Sequence, residues 1–323
     1  MLTTDQILEH RDYALGGVNL SGYGESGRGK VRDFYELEGN RRLVVTTDRQ
    51  SAFDRVLGLI PFKGQVLNQL SQFWFEQTTD IVPNHLISVP DPNVSIVKKA
   101  EMFPVEVIVR GYLTGVTDTS IWMMYQDGQR EMYGLRFPDG MRKNEPLPAP
   151  IITPTTHAEL GAHDRPLSRD EILNEGLVSP ENWREIERAA LAVFARGQEI
   201  ARQAGLILVD TKYEFGMIDG RVALVDEVHT PDSSRYWLVD TYDSKFEAGQ
   251  EPDNFDKELL RLWMREQGFK GEGQPPALTD DIIARLSQRY QSSYERLTGK
   301  TFEVDFSRKP EDRIVHNLKQ AGF

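Results

Sequence analysis

Apolar positions along the chain switch between two periods. From Gly64 to Gln77, Val66, Leu67, Leu70, Phe73 and Trp74 recur at helical spacing and predict one buried stripe. Pro180 to Ala204 is the clearest helix. Ser179 stands at its N-cap, Pro180 at its first position, and Gly205 stops it. Two further amphipathic helices are predicted over Asp256 to Gln267 and Asp280 to Leu297. Strand-like segments fall between these. Lys30 to Glu36 and Arg42 to Thr47 flank a Glu38-Gly39-Asn40 turn and predict a hairpin. Val94 to Lys98 and Val105 to Arg110 are predicted strands. In the second, Val105, Val107 and Val109 face one way and Glu106, Ile108 and Arg110 the other. A strand over Leu206 to Phe215, an Asp219-Gly220 turn and a strand over Val222 to Val228 follow. Strands first, then helices and another hairpin, imply an α+β fold with two lobes, divided at residues 1–110 and 111–323.

Two stretches follow neither period. Residues 16–29 are rich in glycine. Residues 138–168 are rich in Pro, Gly, Thr and Asp and read as a linker or an active-site loop.

Composition narrows the class. The 323 residues are 39% hydrophobic, so the chain is globular, not disordered. No apolar run of eighteen residues exists, and the first residues carry no secretory pattern, so neither a membrane span nor export is expected. There is no cysteine. That excludes disulfides, thiolate metal sites and a catalytic thiol, and it fits a reducing cytoplasm. Lys and Arg number 38 against 50 Asp and Glu, a net charge of −12. Such a chain is no general nucleic-acid binder. If its substrates are anions, positive charge must be concentrated in one cleft or on a metal ion.

The candidate chemistry lies at the strand ends. In L-V-D-T-K-Y-E-F-G, residues 208–216, Asp210, Lys212 and Glu214 alternate and so share one strand face. A solvated edge strand could carry them. The apolar run Leu206 to Val209 just before argues instead that the charges begin where the strand leaves the core. Carboxylates flanking a lysine suit Mg²⁺ and phosphate together. On the return strand, a strict two-residue turn pairs Asp226 with Tyr213, on the wrong face. A bulge at Gly220 or Gly216 would return Asp226 to the face of Glu214, where both could hold one Mg²⁺. Glu106 and Arg110 read either as a phosphate clamp or as a structural pair. Thr230 to Arg235 is a turn by composition whose hydroxyls and guanidinium could bind phosphate. Gly24 to Lys30 matches Gly-x4-Gly-Lys, but Val31 replaces the Ser or Thr of a P-loop and a hairpin follows instead of a helix. A glycine-rich segment feeding a hairpin can still cover nucleotide phosphates; a flexible surface loop is the other reading.

Taken together, these segments resemble the phosphoribosylaminoimidazole-succinocarboxamide synthase (SAICAR synthetase) family, in its longer form. The motifs are G-K-V-R-D-F-Y at 29–35, T-D-R-Q-S-A-F-D at 47–54, P-V-E-V-I-V-R-G-Y-L-T-G at 104–115, the 208–216 segment, D-E-V-H-T-P-D-S-S-R at 226–235 and F-D-K-E at 255–258. The resemblance implies a two-lobed fold, a small β-rich lobe and a larger one clasping ATP between them. It implies an ATP-dependent ligase joining L-aspartate to the carboxylate of carboxyaminoimidazole ribonucleotide (CAIR), giving SAICAR, ADP and phosphate. By match, Gly29, Lys30 and Arg32 lie over the ATP phosphates, with Glu106 and His157 also at ATP. Glu214 and Asp226 hold Mg²⁺, and Lys212 bridges ATP and the substrate carboxylate. Ser51, Asp54, Arg110, Asp210, Ser234 and Arg235 line the ribonucleotide site, and Lys212, Asp210 and Arg110 are the catalytic set.

Two positions depart from the family pattern. Val116 follows Gly115 where a serine is usual, leaving Thr117, Thr119 or Ser120 to supply the hydroxyl. His157 stands where lysine is common, which makes a phosphate contact there weaker or pH-dependent. The rival reading is a kinase-like phosphotransferase using the same ATP cleft, against which no Asp-Phe-Gly motif is present.

Overall fold

The computed structural model describes every residue except 53–54, 117–119, 158–163, 257 and 270–271. A short helix α1 (Thr4–Glu9) opens the chain, held by a capping box of Thr3 and Gln6. The glycine-rich stretch then forms a strand, β1 (Ser26–Arg28), paired antiparallel with β2 (Arg32–Leu37). Gly27 permits this close pairing, because a Cβ there would lie 2.2 Å from the Phe34 ring. Next come β3 (Arg41–Thr46), a ribbon of β4 (Arg49–Ala52) and β5 (Arg55–Leu59), and helix α2 (Lys63–Gln77). The predicted turn between β2 and β3 is formed, with Gly39 and Asn40 at φ of 73° and 56°. β6 (Leu86–Asp91) and β7 (Val94–Lys98) complete an antiparallel sheet in the order β1-β2-β3-β7-β6.

The second sheet begins with β8 (Glu101–Leu113). After α3 (Ile121–Gln126) and a small hairpin of β9 (Glu131–Met132) and β10 (Leu135–Arg136), the chain returns as β11 (Glu145–Thr156). Helices α4 (Arg169–Asn174) and α5 (Pro180–Gln203) lead to β12 (Leu206–Ile218), β13 (Arg221–Val225) and β14 (Ser234–Leu238). The order is β11-β8-β12-β13, with β14 also paired to β12. Val105, Val107 and Val109 of β8 pack into one core with α2 and α5, as their alternation predicts. Ser179 caps α5 by accepting from the Asn182 amide.

Among the described residues four helices follow: α6 (Val239–Glu247), α7 (Glu258–Glu266), α8 (Asp280–Thr298) and α9 (Pro310–Gln320). α8 lies on α1 and α2, and α9 on β6. Ile314 and Leu318 of α9 share a core with Leu43, Val45, Val94 and Ile96 of the first sheet. The C-terminal helix is therefore part of the lobe built from the N-terminal strands. The expected division after residue 110 falls inside β8, and the change of sheet lies between β7 and β8.

Two expectations about local structure are corrected. Residues 138–168 are not irregular throughout: β11 occupies 145–156, and α4 begins just after with a Ser168–Glu171 capping box. Pro146, Pro148, Pro150 and Pro154 hide the strand in the sequence. They are accommodated because β11 is an edge strand, with its register slipping between Pro146 and Ile151. The expected bulge that would turn Asp226 is also absent from the β12–β13 ladder. Ile218 pairs with Arg221 and Glu214 with Val225 in unbroken register. Instead the strand stops at Val225 and Asp226 takes a left-handed φ of 62°. The irregularity at Gly216 faces β8, between Glu214 and Gly216.

Candidate active site

β12 is the axis of the site. Thr211, Tyr213 and Phe215 are buried, while Asp210, Lys212 and Glu214 project from the opposite face. β8 runs antiparallel beside it, with Arg110 opposite Asp210 and Glu106 opposite Glu214. Directly opposed residues share a face, so the two strands together present one charged surface. Glu106 and Arg110 form no pair with each other; each finds its partner on β12.

One end of this surface is acidic. Lys212 Nζ donates to Glu106 Oε1 at 2.7 Å and also to Glu214. Burial works against the ammonium, but Glu214, Glu106 and Asp226 outweigh it and raise the lysine pKa. His157, just past β11, brings Nδ1 to 3.6 Å from Glu106. One ligand atom from each of Glu106, His157 and Glu214 lies within 4.8 Å of the others. Asp226 is held from the other lobe by Arg32 of β2. Arg32 Nη1 donates to it at 2.7 Å, and Nη2 lies 3.0 Å from Glu227. Burial opposes the guanidinium charge, and Asp226 and Glu227 overcome it and raise the pKa. Gly29 and Lys30 form the turn that precedes Arg32, between β1 and β2.

The other end is basic. Arg235 from β14 clamps Asp210 with two bonds, at 2.9 and 2.6 Å, and Arg110 adds a third at 3.1 Å. Burial pushes the Asp210 carboxyl up, while Arg235 and Arg110 outweigh it and lower the pKa. Arg110 Nε also donates to Thr153 Oγ1 on β11, at 2.8 Å. A cavity of about 260 Å³ opens here, lined among others by Asp210, Ser234, Arg235, Val116 and Ser120. Ser234 Oγ donates to Thr211 Oγ1 at 2.8 Å, so this hydroxyl is tied to the sheet. Ser120 Oγ is buried, and among the described residues it has no hydrogen-bond partner. It reaches this position because Gly115, at φ 123°, leaves room: a Cβ there would lie 2.2 Å from that of Ser120.

Ser51 is half-buried on β4. Its neighbour Gln50 accepts from the Tyr290 hydroxyl, which also donates to Asp232 at the cavity. Asp54, Thr117 and Thr119 lie outside the described residues. Sequence reasoning missed Lys63 and Tyr290, and gave Glu227 and Asp232 no role of their own although both lie in the 226–235 motif. Lys63 is fully buried, with Nζ 2.8 Å from Asp232. Nothing local marks Lys63 or Tyr290, because Asp232 reaches each of them from a distant segment. The expectation that no His-Arg-Asp catalytic loop is present meets one such triplet, residues 10–12. It belongs to no kinase-like catalytic loop: Arg11 pairs with Asp280 and Asp12 with Lys309, all exposed.

An α+β fold with one strand face polarised from acidic to basic, under a glycine-rich turn from a second sheet, defines a class: enzymes that gather several anions in one cleft. The model of the SAICAR synthetase family matches residues 25–277, and the chain belongs to that family. A relative from Legionella pneumophila (strain Paris), named phosphoribosylaminoimidazole-succinocarboxamide synthase, is 54% identical over 302 residues, spanning 92% of this chain and 96% of its own. The solved SAICAR-synthase from Saccharomyces cerevisiae complexed with SAICAR superposes with a TM-score of 0.78 at 32% identity, covering 90% of this chain and 100% of that one. A SAICAR synthetase (Type-2) in complex with ADP gives 0.66 at 25% identity, covering 87% and 100%. The chain is an ATP-dependent ligase.

Proposed function

We propose that the two ends of the β12 face divide the work of joining L-aspartate to CAIR, and that this polarity carries the assignment. A carboxylate is a poor acylating agent. In this reading a CAIR carboxylate oxygen attacks the γ-phosphorus of ATP and ADP leaves. The aspartate amine then attacks the acyl carbon, phosphate departs, and the amine gives up a proton to a base. The acidic end is the ATP end. Gly29, Lys30 and Arg32 cover the phosphates, Glu106 and His157 lie beside them, and Lys212 bridges phosphate and carboxylate. The basic end takes the ribonucleotide through Arg110, Asp210, Ser234 and Arg235, with Ser51 and Asp54 contributing to the same site. Ser120 fits the hydroxyl role that Val116 cannot fill, because it lines the cavity and its buried Oγ has no other partner among the described residues.

The donors at the acidic end fit Mg²⁺. Glu214, Asp226 and Glu106 are hard oxygen ligands, and a cationic group, the Lys212 ammonium, already bridges two of them. Glu214 and Asp226 are the proposed ligands. Bound there, the ion would neutralise charge on the transferred phosphoryl group. The substrates are small molecules, with no nucleic acid or membrane partner, and a cytoplasmic setting suits them. Among the described residues no helix is long and apolar enough to cross a membrane.

The test is ADP release measured with each substrate omitted in turn. Sustained release should need both aspartate and CAIR. Equal rates without aspartate would transfer the site to the kinase-like reading.

A further inference from the structure

Arg49 begins β4 and is 3% exposed. A guanidinium carries five N–H bonds, and here each has an acceptor. Nε donates to the Lys30 carbonyl at 3.0 Å. Nη1 donates to the Gly16 carbonyl at 2.8 Å and to Asp33 Oδ2 at 3.2 Å. Nη2 donates to the Gly29 carbonyl at 3.1 Å and to Asp33 Oδ1 at 2.7 Å. Two of these acceptors are successive carbonyls of the turn between β1 and β2.

Peptide geometry gives this a consequence. Across a trans peptide the C=O and N–H point in opposite directions, and no described peptide is cis. Drawing the Gly29 and Lys30 carbonyls onto Arg49 therefore turns the N–H groups of Lys30 and Val31 to the other side of the turn. Successive N–H groups on one side form an anion-binding concavity. The same arginine is tied to the substrate loop, since its own carbonyl accepts from buried Lys63 at 2.9 Å and Lys63 pairs with Asp232.

We infer that Arg49 is a positioning residue for nucleotide binding: it holds the Gly29–Val31 turn with its amides presented to the phosphates, and touches no substrate itself. This rests on the reading of that turn as the phosphate cover. Arg49→Lys keeps a cation for Asp33 but loses the five-donor fork. Calorimetric titration of the full chain with ATP, ADP and adenosine separates the possibilities. ATP and ADP should bind at least about tenfold more weakly to Arg49→Lys, and adenosine within about twofold of wild type. Asp33→Asn, which loosens the fork from its other side, should give a smaller loss with the same dependence on phosphate. It serves alone if Arg49→Lys does not fold. Equal losses for adenosine and ATP, or no loss in the variants that fold, would overturn the assignment. A wild-type chain that binds ATP but shows no aspartate-dependent turnover would instead sink the ligase reading and leave this one standing.

Discussion

The two ends of the β12 face are built from the same kinds of residue in inverse arrangement. At one end a lysine sits between two glutamates, Glu106 and Glu214, for a local sum of −1. At the other an aspartate sits between two arginines, Arg110 and Arg235, for a local sum of +1. Glu214 lies only four residue steps along the strand from Asp210, about 13 Å. The difference lies in what each cluster offers a ligand. The central ammonium of the first is a compact point charge, and the carboxylates it bridges offer oxygens able to accept a metal ion. The central carboxylate of the second fixes two planar forks whose remaining donors suit phosphate. A chain of net charge −12 thereby hosts both polarities on a single strand.

Breaking the centre of the acidic end should have the largest effect. Lys212→Met should lower kcat by about a thousandfold or more, as loss of a group that stabilises developing charge would. Steady-state rates at saturating substrates check this; a loss of tenfold or less would remove the acidic end from the chemistry. Asp226→Asn comes next. It should cut turnover by about a hundredfold and raise the Mg²⁺ concentration needed for half-maximal rate. A near-normal rate at limiting Mg²⁺ would take Asp226 away from the ion. At the basic end, Arg235→Lys should raise KM for the ribonucleotide by about tenfold, because the bidentate bond to Asp210 cannot be remade. KM for ATP should stay within about twofold. Parallel rises in both constants would mean that the ends are not separable.

The smallest effect concerns the loop joining the two ends. His229, midway along it at φ 49°, is fully buried with Nε2 against the Tyr213 hydroxyl. Burial depresses its pKa to about 3. The unfolded chain therefore takes up a proton below about pH 6.5 and the folded chain does not, so this stability is present above about 6.5 and lost toward 3. Asp48 and Asp256, pushed up to about 6 by burial, act in the opposite sense. Comparing wild type with His229→Gln isolates the histidine. Between about pH 4 and 6 the variant should lose stability less steeply on acidification, by at most about 1.4 kcal/mol per pH unit. Identical slopes in chemical denaturation would show that His229 titrates normally.

What was legible in the sequence follows from how local each signal is. Period placed α2, α5 and α8, and for α5 the N-cap and the stop lay in the same segment as the stripe. The shared face of Asp210, Lys212 and Glu214 needed only strand alternation. The pairing partners did not follow, since Arg110 meets Asp210 through a register between strands a hundred residues apart. The route of Asp226 was misjudged because the β12–β13 ladder runs without a bulge and the chain turns at Asp226 itself, through a left-handed φ after the strand. β11 was hidden by prolines that only an edge position tolerates.

The helix α9 sets a schedule for folding. Arg313 bonds Asp91 and Asn93 in the interior of the first lobe, more than two hundred residues back along the chain. Ile314 and Leu318 close the apolar cluster around Leu43 and Ile96. During synthesis the first sheet emerges early with Leu15 and Leu20 on its apolar cluster, and the side that α9 covers stays open until residues 310–320 arrive. At usual rates of translation the wait is roughly ten to forty seconds. For that interval the lobe that is to cover the nucleotide is a half-finished surface. A ribosome stalled before residue 310 would display it to chaperones and proteases as such.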